Sequence, residues 1–314
     1  MDNGRCTLSL RDFLDVLVTS ESNIKDSDVI ELSGMSEQNM NLFTDYWVNY
    51  DADKRITILK KLTELAEHNL DVDFDAIFKF CLYDDNPEIR CISIDGLWEC
   101  EDRSFLDSLC SMLENDVSVQ VRTSAALGIG KFATLCENGK MLSNDQDRIM
   151  YPLLSVIEDL SEDLEVRRRA MESVSIFDTE EVHDIIQEAY QHENPAMRRS
   201  AVYSMGKNCD IGWLSIIVEE LDSIDPAMRY EACNACAELS EEEAIPYLLP
   251  LFEDEDLETQ SAAIMAAGHI GGNIAKNALM DYIQSSDEVI AEAAQESLEI
   301  LRISEGSMDF GTGY

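Results

Sequence analysis

Cys233-Asn234-Ala235-Cys236 has the spacing of a redox or zinc pair. Zinc would need a second such pair, and none accompanies it. Both thiols also fall at repeat positions that hold Val202 and Met205 one unit earlier and Ile264 and Ala267 one unit later. They read as small buried hydrophobes. The four histidines, His68, His183, His192 and His269, are scattered, and only His192 is followed by glutamate. A metal centre needs several converging ligands, so surface histidines are the expectation. Arg167-Arg168-Arg169 could hold an anion but reads as a salt-bridged face. Glu241-Glu242-Glu243 and Glu253-Asp254-Glu255-Asp256 lack the twelve-residue, Gly-bearing spacing of a calcium loop. Phosphate-loop, nucleophile-elbow and zinc-protease signatures are missing, and Gly268-His269-Ile270-Gly271-Gly272 reads as a helix stop. The expectation is a non-enzymatic protein with no catalytic, cofactor-binding or metal-binding residues and no cofactor.

The elements that position these residues must be built from a very acidic chain. Its 314 residues carry 23 Lys and Arg against 64 Asp and Glu, a formal charge of −41. Such a surface repels nucleic acid and anionic membranes, both of which recruit basic proteins. Hydrophobic residues make up 45% of the chain, enough for a large core rather than disorder. Residues 208–314 hold 23 acidic and 3 basic side chains. That excess serves helix N-termini, solubility or salt adaptation, or else attracts a basic partner. Nine scattered cysteines, with neither a signal peptide nor a membrane-length apolar run, point to reduced thiols in a cytoplasm.

A short pattern recurs: Asp or Asn, two residues, an aliphatic or Met, Arg, and Ala three positions after the Arg. Asn194…Met197-Arg198…Ala201 and Asp225…Met228-Arg229…Ala232 are full copies, as is Asp163…Val166-Arg167…Ala170. The Arg positions, or their equivalents, are 55, 90, 122, 167, 198, 229, 260 and 291. Their gaps of 35, 32, 45, 31, 31, 31 and 31 hold register too long for chance. The long gap places a surface loop insertion near residues 136–147. Each unit reads as two helices. An apolar segment such as 245–252 precedes the anchor, and apolar or small residues follow at anchor −1, +3, +4, +7 and +10, one helical face. Asn86-Pro87, Asn194-Pro195 and Asp225-Pro226 set an N-cap before a first-turn proline. Gly128, Gly130, Gly206 and Gly268 lie inside second helices, where they would permit close helix approach.

One pair of about 31 residues cannot cover its own apolar face, whereas stacked pairs can. On these motifs residues 36–302 resemble the HEAT-repeat family, in its short form of about 30 residues also found in phycobilin lyases. The resemblance implies an all-α, right-handed α-solenoid of about eight stacked helical hairpins. It also implies a ladder between repeats. Asp163, Asn194, Asp225, Asp256 and Asp287 would form one rail, and Arg90, Arg122, Arg167, Arg198 and Arg229 the other. Gln260 and Ala291 depart from the second rail. Residues 1–35 fit no repeat. Leu8, Leu10, Phe13, Leu14 and Leu17 suggest an amphipathic helix, and Val29, Ile30 and Leu32 a second, together an N-terminal helical cap. Residues 303–314 read as a flexible tail. Deoxyhypusine hydroxylase, a HEAT-like enzyme, binds two irons through repeated His-Glu pairs, and the single pair His192-Glu193 does not supply them.

In HEAT solenoids the second helices line the concave surface. Anchor +5 then faces outward, giving Asp95, Leu127, Glu172, Tyr203, Asn234, Met265 and Glu296. Anchor +9 adds Ile176, flanked by residues such as Lys131, Lys207 and Glu238. Leu127, Ile176, Tyr203 and Met265 either bind a partner segment or are drawn into the core by superhelical twist. The resulting reading is a cytoplasmic protein-binding scaffold or adaptor, its partner basic if the charge serves recognition. Its alternatives are a subunit of a chromophore or cofactor lyase, or a structural component of a larger complex.

Overall fold

The computed structural model describes residues 10–19, 29–142 and 144–309, and every regular element among them is helical. The chain divides into two compact units, Met1–Ala170 and Met171–Tyr314. In the first unit, helix α1 (Leu10–Thr19) and a 3-10 turn (Ile30–Leu32) precede α2 (Glu37–Trp47) and α3 (Ala52–His68). Two further pairs follow: α4 (Asp75–Cys81) with α5 (Pro87–Gly96), and α6 (Arg103–Asn115) with α7 (Val119–Glu137). Next come α8 (Asp145–Glu158) and α9 (Leu164–Val174), the last running across the division. The second unit continues with α10 (Glu180–Tyr190), α11 (Pro195–Asn208), α12 (Leu214–Glu220) and α13 (Pro226–Leu239). It ends with α14 (Ile245–Leu248), α15 (Leu257–Ile270), α16 (Gly272–Tyr282) and α17 (Glu288–Asp309).

Every second helix starts where the sequence pattern puts it. The side chains of Asn86, Asn194 and Asp225 each accept a hydrogen bond from the amide two residues on, and proline fills the first helical position. Asp51 and Asp256 cap α3 and α15 through the amide three residues on. These side chains satisfy donors that a helix start leaves open. In the second unit α11, α13, α15 and α17 pack one against the next. Their shared interior contains the expected positions: Met197, Ala201, Val202 and Met205, then Met228, Ala232, Cys233 and Cys236, are all buried.

Small residues set how closely these helices lie. A Cβ on Gly206 would fall 2.7 Å from Ala235 Cα, and one on Gly268 would fall 2.8 Å from Ser297 Cα. Gly128 meets side chains instead, with Leu109 methyls 3.1 Å from where its Cβ would be. Buried Asn208 has a polar task at an otherwise apolar position. Its Nδ2 donates to the carbonyls of Ser175 and Phe177, and its Oδ1 accepts from Trp213 Nε1 at 3.0 Å.

Beside the tail read at 303–314, which is helical as far as Asp309, three expectations need amendment. First, the apolar segment 245–252 is a four-residue α-turn continued by a 3-10 turn rather than one helix. Pro246 and Pro250 each remove an amide donor, which breaks the α ladder. Second, helices claim both ends of residues 136–147. α7 runs through Glu137 and α8 begins at Asp145, where a buried carboxylate is held by Arg103 and by the Leu142 amide. Third, Ile30 is exposed while Val29 and Leu32 are buried. Phe13, Leu14 and Leu17 of α1 are buried as expected, and Leu8 lies outside the described residues.

Candidate binding surface

The arginine at each anchor does more than mark the period. Nη1 of Arg90, Arg122, Arg198 and Arg229 donates to the backbone carbonyl six residues earlier, closing the turn between the two helices. The rest of the guanidinium reaches the following repeat. Arg90 grips Asp116 at 2.8 and 2.6 Å, Arg122 grips Glu162 at 2.8 and 2.7 Å, and Arg229 grips Asp254 at 2.8 and 2.6 Å. Arg55 also reaches Asp84, through Nη1 alone.

The ladder therefore exists, but its acidic rail is not the one the resemblance implies. Asp84, Asp116 and Asp254 lie two residues before the capping residue, and Glu162 one before. The expected rail of Asp163, Asn194, Asp225, Asp256 and Asp287 instead bonds its own helix starts. Asp225 does accept a salt bridge, from the half-buried neighbour Arg199 rather than from Arg198. The anchor arginines meet the earlier acid of each turn, which leaves the capping residue to its own helix start and, at Asp225, to Arg199 through the second carboxylate oxygen. Where His192 and Ser223 replace the acid, Arg167 and Arg198 bond backbone carbonyls. Gln260 donates to the Phe252 carbonyl. Arg168 and Arg169 of the basic run both pair with Glu165.

With the core side fixed, the outward rows can be placed. In the second unit Tyr203 is 36% exposed and Met265 41%, while Glu296 is open to solvent. Glu172, Ile176 and Asn234 are half-buried. Asp95 and Leu127 of the first unit are exposed. All four apolar residues therefore stay out of the core. Beside the second unit's rows, Ser200 Oγ donates to Glu172, and Lys207 of α11 pairs with Glu238 of α13 at 2.8 Å. Burial of the ring pushes the Tyr203 hydroxyl pKa up, against an opposing pull from Lys207. Tyr203 and Met265 are two helices apart, roughly 16–20 Å at ordinary helix spacing. About five or six residues of extended chain span that distance.

The other sequence candidates have structural partners. His192 Nδ1 sits 3.0 Å from the Asn194 amide, in the turn before α11. His183 lies between Asp178 and Asp210 against the Trp213 ring. Among the described residues no group of three or more His, Cys, Asp or Glu side chains is arranged to hold a metal ion. Cys233 and Cys236 are fully buried, and desolvation pushes the Cys236 thiol up to about 12. Cys209 is exposed. In native protein at pH 8, an aromatic disulfide reagent should label Cys209 before the other seven described cysteines. Cys233 and Cys236 should react only after denaturant is added.

Paired helices in succession, four of the second ones tied to the following repeat by an anchor arginine, define an α-helical repeat protein. Residues 214–299 match the family model for HEAT repeats. No curated protein matches the sequence. Among solved structures, the Escherichia coli protein YibA is 17% identical, over 89% of this chain and 98% of its own, with a TM-score of 0.48. Human deoxyhypusine hydroxylase is 15% identical over 85% of this chain and 96% of its own, with a TM-score of 0.36. Kap121p bound to Nup53p is 13% identical over 93% of this chain and 41% of its own, with a TM-score of 0.41. No helix among the described residues is long and apolar enough to cross a membrane.

Proposed function

We propose that this protein is a non-enzymatic binding scaffold that holds a segment of a partner protein against the outward rows of its second helices. One observation carries the reading: Tyr203 and Met265 expose apolar surface among the polar and charged groups Glu172, Lys207, Asn234, Glu238 and Glu296. A large aromatic and a flexible thioether are side chains that anchor partners, with polar neighbours forming a rim. The partner is basic on this reading, because residues 208–314 carry 23 acids against 3 bases. A reducing, cytoplasmic setting suits the eight described cysteines, all of them free.

The test is affinity capture from native lysate with two baits, the natural chain and Tyr203→Ala with Met265→Ala. The first should retain proteins that the second loses. Those proteins should also thin out between low and high salt, as screening weakens the acidic attraction. An unchanged retained set would end this reading.

A further inference from the structure

The first unit holds a cleft of about 540 Å³ between the end of α3, the turn that follows it, the start of α4 and the end of α5. That volume is in the range of ligand pockets, about 300–1,000 Å³. Its floor includes the buried rings of Phe74 and Phe78. Phe78 lies so close to the backbone at Gly96 that a side chain there would collide with the ring. Two rims are apolar and open: Leu70 is 90% exposed and Trp98 is 60% exposed.

Its charge is one-sided. Five carboxylates line it, those of Glu67, Asp73, Asp75, Asp95 and Glu99, and no Lys, Arg or His does. Two of the five are occupied. Asp75 pairs with Lys79 at 3.4 Å, and Asp73 accepts the Asp75 amide at 3.0 Å. Glu67, Asp95 and Glu99 have no salt bridge among the described residues. The nearby Lys131 spends its ammonium on the carbonyls of Trp98 and Cys100. Although Asp95 meets solvent at the rim, the cleft walls partly desolvate its carboxyl and raise its pKa.

We infer that this cleft receives a basic peptide segment of a partner, its cationic side chain held by Glu67, Asp95 and Glu99 against the Trp98 indole and its aliphatic neighbours on Leu70. The carboxylates and the ring face attract a cation together. Apolar rims on Leu70 and Trp98 favour a peptide that alternates cationic and aliphatic residues over a small polyamine, which would leave both rims wet. Asp95 and Glu99 belong to the outward rows, but Tyr203 and Met265, which carry the scaffold reading, belong to the other unit, so either idea can fail alone.

The probe is a fluorescein-labelled nonapeptide alternating arginine and leucine, titrated into the full chain and followed by anisotropy. Its counterpart alternating glutamate and leucine, and spermine as competitor, complete the set. Asp95→Asn with Glu99→Gln, and separately Trp98→Ala, should each weaken the arginine peptide by about ten-fold. All three side chains are exposed, so far-UV circular dichroism should stay native. Neutralising Glu241, Glu242 and Glu243 to Gln, a larger charge change elsewhere, should alter affinity less than about two-fold. Equal losses from both sets of neutralisations would overturn the inference, because bulk charge alone would then explain binding. Unchanged affinity in Trp98→Ala, or spermine displacing the peptide at equal concentration, would overturn it as well.

Discussion

Gly268→Val should lower the stability of the second unit by about 3 kcal/mol, read from the urea midpoint by circular dichroism. Helix propensity alone gives the opposite sign, since glycine inside an exposed helix is about 1 kcal/mol worse than alanine. Packing decides. A Cβ at position 268 would meet Ser297 Cβ at 2.5 Å, Cα at 2.8 Å and the carbonyl oxygen at 3.0 Å. Two of those atoms are backbone, so no rotamer change relieves the clash, and α15 and α17 must move apart. Even Gly268→Ala should destabilise. Ser297→Gly in that background should recover only part of the loss, because the Ser297 Cα remains in the way. The coupling between the two substitutions should therefore be measurable in a double-mutant cycle. A stabilising Gly268→Ala would show that the helices are not in contact at this point.

The same pair shows what a sequence can and cannot disclose. Gly206 and Gly268 stand at anchor +8, and opposite them Ala235 and Ser297 stand at anchor +6, so close approach follows from the period. Helix starts were equally legible, because an Asn or Asp before Pro announces its own hydrogen bond. The ladder was half legible. Arginine recurs at the anchor, but the turn before α15 offers Glu253, Asp254, Glu255 and Asp256 in succession, and only geometry separates the one that pairs from the one that caps. The break in 245–252 could have been read from Pro246 and Pro250 had they outweighed the apolar run. The cleft in the first unit could not. Its walls come from two different repeats, and nothing in the 31-residue pattern brings Leu70 to face Trp98. For the outward rows, the period gave the direction of Tyr203 and Met265, and the structure gave their exposure. Periodicity reports what every repeat shares, whereas binding surfaces depend on what each repeat does differently.

Asp254→Ala should cost about 3–5 kcal/mol, far more than Arg199→Ala, expected at about 1 kcal/mol or less. Both substitutions break an arginine–aspartate pair that joins successive repeats. They differ in burial. Arg199 and Asp225 are about one third exposed, so water screens the pair and takes over when it is lost. Arg229 and Asp254 are largely covered, and the guanidinium meets the carboxylate with two parallel bonds. Removing Asp254 leaves a buried cation half-partnered and also frees the Asp256 amide, which bonds Asp254 Oδ1 at 2.8 Å. The pH dependence follows from the same contacts. Burial pushes the Asp254 carboxyl pKa up, but Arg229 and the Asp256 amide outweigh it and hold the carboxyl below its ordinary value. A depressed folded pKa means that the unfolded chain takes up the proton first. The stabilisation is therefore complete above the ordinary aspartate pKa of about 3.9 and is lost as pH falls through the lower folded value. Urea midpoints of the natural chain and Asp254→Ala should differ most near neutrality and converge on acidification below about pH 4. A gap that stays constant across that range would mean that the side chain contributes through packing and capping, and that charge is not what joins these two repeats.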